Sequence, residues 1–391
     1  MDQLPFARRV PLLNMSLTFR EDSCAARWLS RDEQDYAPGQ AVASLHQHIA
    51  ERWQSEWVAS FMGGRAALYA VIRALALQPG DEVLIPAFTC QCVTNAITFN
   101  GVIARFVDIE QETLGMNAER MLAAIGPRTR AVLIQYTFGL VCRDLEQLLD
   151  VARHRQLWII EDCAHATGAS WQGHLLGTLG DIAFFSSERS KIVNTIHGGW
   201  IVTRHPALGK RLMQIQDDAP CPAPEFITRL LHTLRHAYAS LHSGSLPTPD
   251  VPLLPQMQAD ELNGLFSPQY QWRMAEPVAE LLSLQLARLP EILARRQRGA
   301  RYWQKWAQKM GLQGPKPRTD AQNGWLRYPL LANEPQALAK STLETRLNVE
   351  AGVWFTTPMH PHPCELPDCP TGMDATRRCV NLPTWLWEAA D

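Results

Sequence analysis

The chain has 391 residues, 46% hydrophobic and 19% charged, with a formal net charge of −2. That length exceeds one ordinary core, so a large and a smaller domain are expected; the charge argues against electrostatic nucleic-acid binding, and no apolar run approaches the roughly 20 residues of a membrane span. The opening MDQLPFARRV lacks an apolar signal core, and the nine cysteines are scattered without a C-x-x-C pair, so a cytoplasmic protein without a disulfide framework is expected.

Residues 1–35 read as an irregular arm. Ala41 to Trp57 then places Val42, Leu45, Ile49 and Trp53 on one helical stripe, leading into a strand from Val58 to Phe61. Met62-Gly63-Gly64-Arg65 follows, with a helix to about Leu77. A strand, two glycines and a helix start leave backbone N–H groups free, a natural anion site. Glu82–Pro86 reads as a strand and Ala87–Ile97 as the start of a helix. Val102–Asp108 and Arg130–Gln135 are strand-like, and Asn117–Ile125 and Leu145–His154 are helical. This alternation predicts an α/β fold, a mostly parallel sheet sandwiched by helices. In such sheets the site lies beyond the carboxyl ends of the strands.

The stretch from Ile159 to Thr203 carries the chemistry. A strand, Leu157–Ile160, runs into Glu161 and Asp162. A second, Ile182–Phe185, runs into Ser186. Lys191 follows five residues later, ahead of His197-Gly198-Gly199 and a β-branched run, Ile201–Thr203. A carboxylate, hydroxyls and one lysine at strand ends can hold a phosphorylated pyridine aldehyde. The lysine forms the Schiff base, the acid pairs with the ring nitrogen and the hydroxyls bind phosphate. Pyridoxal 5'-phosphate is therefore the expected cofactor.

Beyond Ile215 the pattern changes. Pro220, Pro222 and Pro224 precede an amphipathic helix with Ile227, Leu230, Leu231, Leu234, Tyr238 and Leu241 on one face. It is expected to pack on its own subunit, the alternative being a partner, membrane-surface or lid element. A Pro-rich loop follows over 243–255. Residues 271–309 are helical, broken at Pro277 and Pro290. Further on come strands at Leu326–Leu331 and Val353–Thr356 and a helix over 335–348. His360, His362, Cys364 and Cys369 match no standard zinc spacing and read as a loop, so no metal is expected. Trp53, Trp57, Trp303 and Trp306 sit at helical spacing and read as core.

The sequence resembles the DegT/StrS-type sugar aminotransferases, within the fold type I aspartate-aminotransferase superfamily. The segments that carry the resemblance, in family order and spacing, are GGRAAL (63–68), PGDEVLIPAFT (79–89), FVDIEQETL (106–114), PRTRAVLIQYTFG (127–139), IIEDCAHATGA (159–169), GTLGDIAFFS (177–186), GGWIVT (198–203), QYQWRMAE (269–276) and NLP (381–383). The resemblance implies that Lys191 carries the cofactor and later shuttles a proton. It implies that Asp162 pairs with the pyridinium nitrogen. Ser186 would bind the phosphate together with the backbone at Gly64 and Arg65, and Gln271 would reach the neighbouring subunit's phosphate.

The resemblance further implies an N-terminal arm (1–35), a large cofactor domain (36–270, with a helical insertion over about 215–265), a small α+β C-terminal domain (271–391), and a homodimer with its active sites at the interface. The expected partners are an amino-acid donor, glutamate, and a keto sugar linked to a nucleotide. Several positions depart from the family pattern. Cys90 stands where an aromatic usually stacks on the ring, leaving Phe88 as a candidate for stacking. His165 replaces a ring-contacting glutamine and is expected to titrate near neutrality. His197 replaces an acid, and Glu188-Arg189 an aromatic-His pair. A different reaction of the same cofactor, or a non-catalytic binding role, are the alternatives; Lys191 in place of histidine argues against the dehydratase branch.

Overall fold

The computed structural model describes residues 6, 8–242, 252–352 and 354–387. The first half contains α1 (Phe19–Leu29), α2 (Gln40–Trp53), β1 (Trp57–Phe61), α3 (Gly64–Leu75), β2 (Glu82–Pro86), β3 (Thr89–Cys90), α4 (Gln91–Thr98), β4 (Ile103–Val107), α5 (Ala118–Ala124), β5 (Thr129–Gln135), α6 (Leu145–His154), β6 (Trp158–Asp162), the short β7 (Ser170–Trp171) and β8 (His174–Leu175), β9 (Ile182–Ser186) and β10 (Gly199–Thr203). The second half contains α7 (Pro206–Asp217), α8 (Pro224–His242), α9 (Ala259–Leu262), α10 (Glu276–Ala287), α11 (Leu289–Lys309), β11 (Ala321–Gln322), β12 (Arg327–Leu331), β13 (Met359–His360) and β14 (Cys379–Pro383).

The central sheet has the order β1-β10-β9-β6-β5-β2-β4. Strands β4, β2, β5, β6 and β9 run parallel, and β10 lies antiparallel between β9 and β1. Side chains on successive strand residues enter opposite faces. Val132 and Ile134 of β5, Ile159 of β6 and Phe185 of β9 join one apolar core. Their neighbours Ala131, Leu133, Ile160 and Phe184 join the other. Both faces are therefore dry, which is why these strands read as continuous apolar runs.

Several expectations need correction. The first 35 residues are not an irregular arm, because α1 lies within them. Thr18 caps it, and the Glu21 carboxylate reaches back to accept the Thr18 N–H at 2.7 Å. Cys24, Ala25 and Trp28 bury its inner face against α8 and α10. The helix expected to run to Trp57 stops at Trp53, where Gln54 turns left-handed, and Trp57 opens β1 instead. The helix expected from Ala87 starts only at Gln91, because Thr89 and Cys90 pair in parallel with Met359 and His360. Such a partner some 270 residues away leaves no local signal. Val353 and residues 243–251 of the expected loop lie outside the described residues; residues 354–356 form no strand. Helix α8 packs Ile227, Leu230, Leu231 and Leu234 into the main core, as expected for an element of its own subunit. Pro277 and Pro290 sit in the first turns of α10 and α11, where a missing N–H costs nothing.

Candidate active site

The strand order brings three chain segments to one edge. Phe61 pairs with Gly199, and Gly199 with Ser186. The Gly63-Gly64 turn that follows β1 thus sits beside the end of β9, with Asp162 at the end of the adjacent β6. Gly63, Gly64, Asp162 and Ser186 line a cavity of about 400 Å³ together with Arg65, Cys90, His165 and Lys191.

The start of α3 is built for an anion. Gly63 offers no side-chain cap, so the first N–H groups of a 12-residue helix are left without intrahelical partners. A Cβ on Gly64 would lie 2.7 Å from Ser186 Cβ and 3.0 Å from its Oγ. Only glycine lets the helix approach the serine this closely. The Arg65 guanidinium pairs with the buried Glu261, which also accepts the Tyr270 hydroxyl at 2.7 Å.

The adjacent acids Glu161 and Asp162 take opposite faces and different jobs. Glu161 accepts the Tyr136 hydroxyl (2.7 Å) and the N–H groups of Gly177 (2.8 Å), Leu179 (2.7 Å) and Gly180 (2.8 Å). It is a buried clasp for the turn before β9. Asp162 faces the cavity, 4% exposed, with Oδ1 accepting the Ala164 N–H at 3.0 Å. Burial pushes its carboxyl up to about 6, against the pull of that N–H and of Lys191. Such a carboxyl is poised to gain from a cation brought into the pocket.

Lys191 sits in a closed loop. Ser187 and Thr195 exchange a hydroxyl hydrogen bond at 2.6 Å, and the Thr195 N–H donates to Ser187 O at 2.8 Å. The Glu188 carboxylate accepts both the N–H (2.9 Å) and the hydroxyl (2.5 Å) of Ser190, and the Lys191 N–H donates to Glu188 O. The departure at Glu188 is thus the brace of the lysine turn. His197, which lines the same cavity, has its Nε2 buried without a partner among the described residues.

His165 does not titrate near neutrality. Burial first, then the charges of Lys191 and Arg327, hold its pKa well below the usual range. Its Nδ1 accepts the Phe138 N–H at 3.1 Å, which assigns the ring proton to Nε2. Phe88 is not available for ring stacking. It is fully buried outside the cavity lining, edge-on to Phe355 at 5.0 Å. Cys90 does line the cavity; a hydrogen bond from Cys92 lowers its thiol pKa, helped by Lys191 and Arg65 against burial. Gln271 lies outside this cavity, its Nε2 3.5 Å from the Tyr69 hydroxyl. Sequence reasoning missed Trp354, Phe355, His360, Met257 and Leu262, which also line it. The β3–β13 pairing brings His360 there, and the proline-interrupted pattern around it gave no periodic signal.

Together these groups fit the phosphorylated pyridine aldehyde expected from the sequence. The uncapped α3 N-terminus and Ser186 would cradle its phosphate, the buried Asp162 would face its ring cation, and Lys191 would supply the amine. Among the described residues no cluster of three metal-ligating side chains occurs, and no helix is long and apolar enough to cross a membrane.

A family model described as the DegT/DnrJ/EryC1/StrS aminotransferase family matches residues 20–387. The chain is 31% identical over 212 residues to a GDP-perosamine synthase of Escherichia coli O157:H7, covering 53% of this chain and 56% of that protein. It is 33% identical over 158 residues to the L-glutamine:2-deoxy-scyllo-inosose aminotransferase of Streptomyces kanamyceticus, covering 40% and 37%. The alignments span 38% to 57% of the length of the first curated relatives matched. The crystal structure of S. venezuelae DesV superposes with a TM-score of 0.73 at 24% identity, over 98% of this chain and 95% of that one. That likeness establishes the fold type I architecture.

Proposed function

The chain belongs to the DegT/DnrJ/EryC1/StrS aminotransferase family, whose members depend on pyridoxal phosphate, and from that premise we propose that it moves an amino group from an amino acid, glutamate, to a keto group of a nucleotide-linked sugar. The observation that carries the reading is the convergence of Lys191, Asp162 and the Gly64–Ser186 cradle in one cavity. When bound, pyridoxal phosphate supplies a carbonyl carbon for amine exchange and a ring that takes up electron density from the donor's α-carbon. Lys191 Nζ moves the proton at that α-carbon. Asp162 holds the proton on the ring nitrogen, and His165 Nε2–H is a neutral donor toward the ring. The N–H groups of Gly64 and Arg65 and the Ser186 hydroxyl orient the phosphate.

Gln271 is assigned to the neighbouring subunit's phosphate, which makes the active enzyme a homodimer. Its place outside its own chain's cavity supports that assignment. Mixing Lys191→Ala with Gln271→Ala protein should restore one intact site in each mixed dimer, the other site then lacking both residues; no recovery in a dimer shown to exchange would refute it.

The purified protein should be yellow, and glutamate should convert the visible band to the shorter-wavelength amino form of the cofactor. Lys191→Ala should lose that half-reaction. A colourless protein that takes up no cofactor would overturn the proposal. The relatives' names carry both a GDP-sugar and an inosose with glutamine. The screen therefore pairs glutamate and glutamine with 3- and 4-keto nucleotide sugars and scyllo-inosose. Turnover of the inosose alone would exclude the nucleotide.

A further inference from the structure

Behind the lysine loop lies a second, small cavity with room for roughly one water-sized particle. Asn14, Ser190, Lys191, Arg296, Arg327 and Trp385 are among its walls. Arg296 and Arg327 are 3% and 2% exposed. Arg296 Nη1 donates to Leu326 O at 3.1 Å and to Thr384 Oγ1 at 3.2 Å. Arg327 Nη1 donates to Leu326 O at 2.8 Å, and Nη2 only weakly to Ser190 O at 3.4 Å. The Nε–H of each is buried with no partner among the described residues.

Other arginines also leave Nε bare, but Arg288 and Arg378 are paired with Glu21 and Asp374. Arg296 and Arg327 have no ion pair among the described residues. Glu188 and Glu350 attract Arg327 from beyond ion-pair distance, and burial outweighs them, pushing the guanidinium down to about 10. Arg296 is pushed down to about 9 by burial and then by Arg327 itself. Two buried cations without a counter-ion are a costly arrangement. No carboxylate stands in the walls of the cavity they share.

We infer that this cavity is a binding site for a small monoanion, held between Arg296 and Arg327 beside Lys191. The anion is either a free halide or a single carboxylate of a molecule in the main pocket, since Ser190 and Lys191 wall both spaces. The carboxylate source rests on the aminotransferase reading; the halide source does not.

The test is thermal melting of the cofactor-loaded protein at constant ionic strength, with chloride or acetate replacing a bulky sulfonate. An anion bound only by the folded state raises the Tm by about 2 °C for each tenfold increase above its dissociation constant. The rise should vanish in Arg327→Leu and Arg296→Leu and persist, weaker, in Arg327→Lys. The leucine variants should melt no lower than wild type in anion-poor buffer, since each removes an uncompensated buried charge. A response to chloride identifies the halide source, and a response to acetate alone the carboxylate. A flat wild-type Tm with both anions, or an equal response in the leucine variants, overturns the site. If those variants do not fold, a bromide-soaked wild-type crystal decides: an anomalous peak between the two guanidiniums supports the site, and none refutes it. None of these readouts needs transamination, so failure of the aminotransferase reading shows separately.

Discussion

Replacing Gly64 with alanine tests the phosphate cradle directly. The new Cβ would sit 2.7 Å from Ser186 Cβ, 3.0 Å from Oγ and 3.5 Å from Phe185 O. Ordinary contact is about 3.5–4 Å, so roughly 1 Å must be found. Strand β9 is held on both sides by β6 and β10 and cannot yield. The start of α3 must retreat, at a cost of about 1–3 kcal/mol for overpacking. The N–H groups proposed to hold the phosphate retreat with it. Loss of about 1.4–2.8 kcal/mol of binding weakens cofactor affinity roughly 10- to 100-fold. Titrating apo-protein with pyridoxal phosphate and following the visible band measures this. Gly63→Ala is the control, since its Cβ would meet only Arg65 Cγ at 3.7 Å on extended backbone. Unchanged affinity in Gly64→Ala, or an equal loss in Gly63→Ala, would refute the cradle.

Asp162 predicts a pH dependence of the cofactor-free protein. Its folded pKa of about 6 lies above the ordinary 3.8, so the folded state holds this proton more tightly than the unfolded one. The contribution to stability is complete at low pH and is lost as pH rises through about 6, a swing of about 3 kcal/mol. Urea unfolding at pH 4.5 and 7.5 should show about 2 kcal/mol of that swing in wild type, since about 1 kcal/mol is already lost by pH 4.5, and none of it in Asp162→Asn; the same pH dependence in both proteins would sink it. Glu161→Ala should destabilise by about 3–5 kcal/mol, because it strands the Tyr136 hydroxyl and three backbone N–H groups. A midpoint close to wild type in denaturant would show that the clasp carries little stability.

The main sheet was legible because both of its faces are buried. Apolar runs such as Val132–Ile134 and Ile182–Phe185 stand out between helical stretches of ordinary length. Asp162, Ser186 and Lys191 could be placed because each lies at or just beyond the end of such a run. Helix α1 was missed although Thr18 and Glu21 form a capping box; of the four residues it buries, Glu21, Cys24, Ala25 and Trp28, only Trp28 is a large apolar side chain. The titration of His165 was misjudged because the ordinary pKa of an imidazole says nothing about burial beside Lys191 and Arg327.

The sequence by itself determined the α/β alternation, the glycine turn at a helix start, and an acid and a lysine placed at and beyond strand ends. These depend on contacts a few residues apart, which periodicity and turn chemistry record. Only the tertiary structure decided what meets them. The strand order β1-β10-β9 sets Gly64 against Ser186, 122 positions on. The β3–β13 pairing carries His360 to the pocket, and the packing of β12 and α11 buries Arg327 and Arg296 with no ion pair to an acid among the described residues. Such contacts arise from how strands are ordered and helices laid over them, and no local pattern along the chain encodes that order.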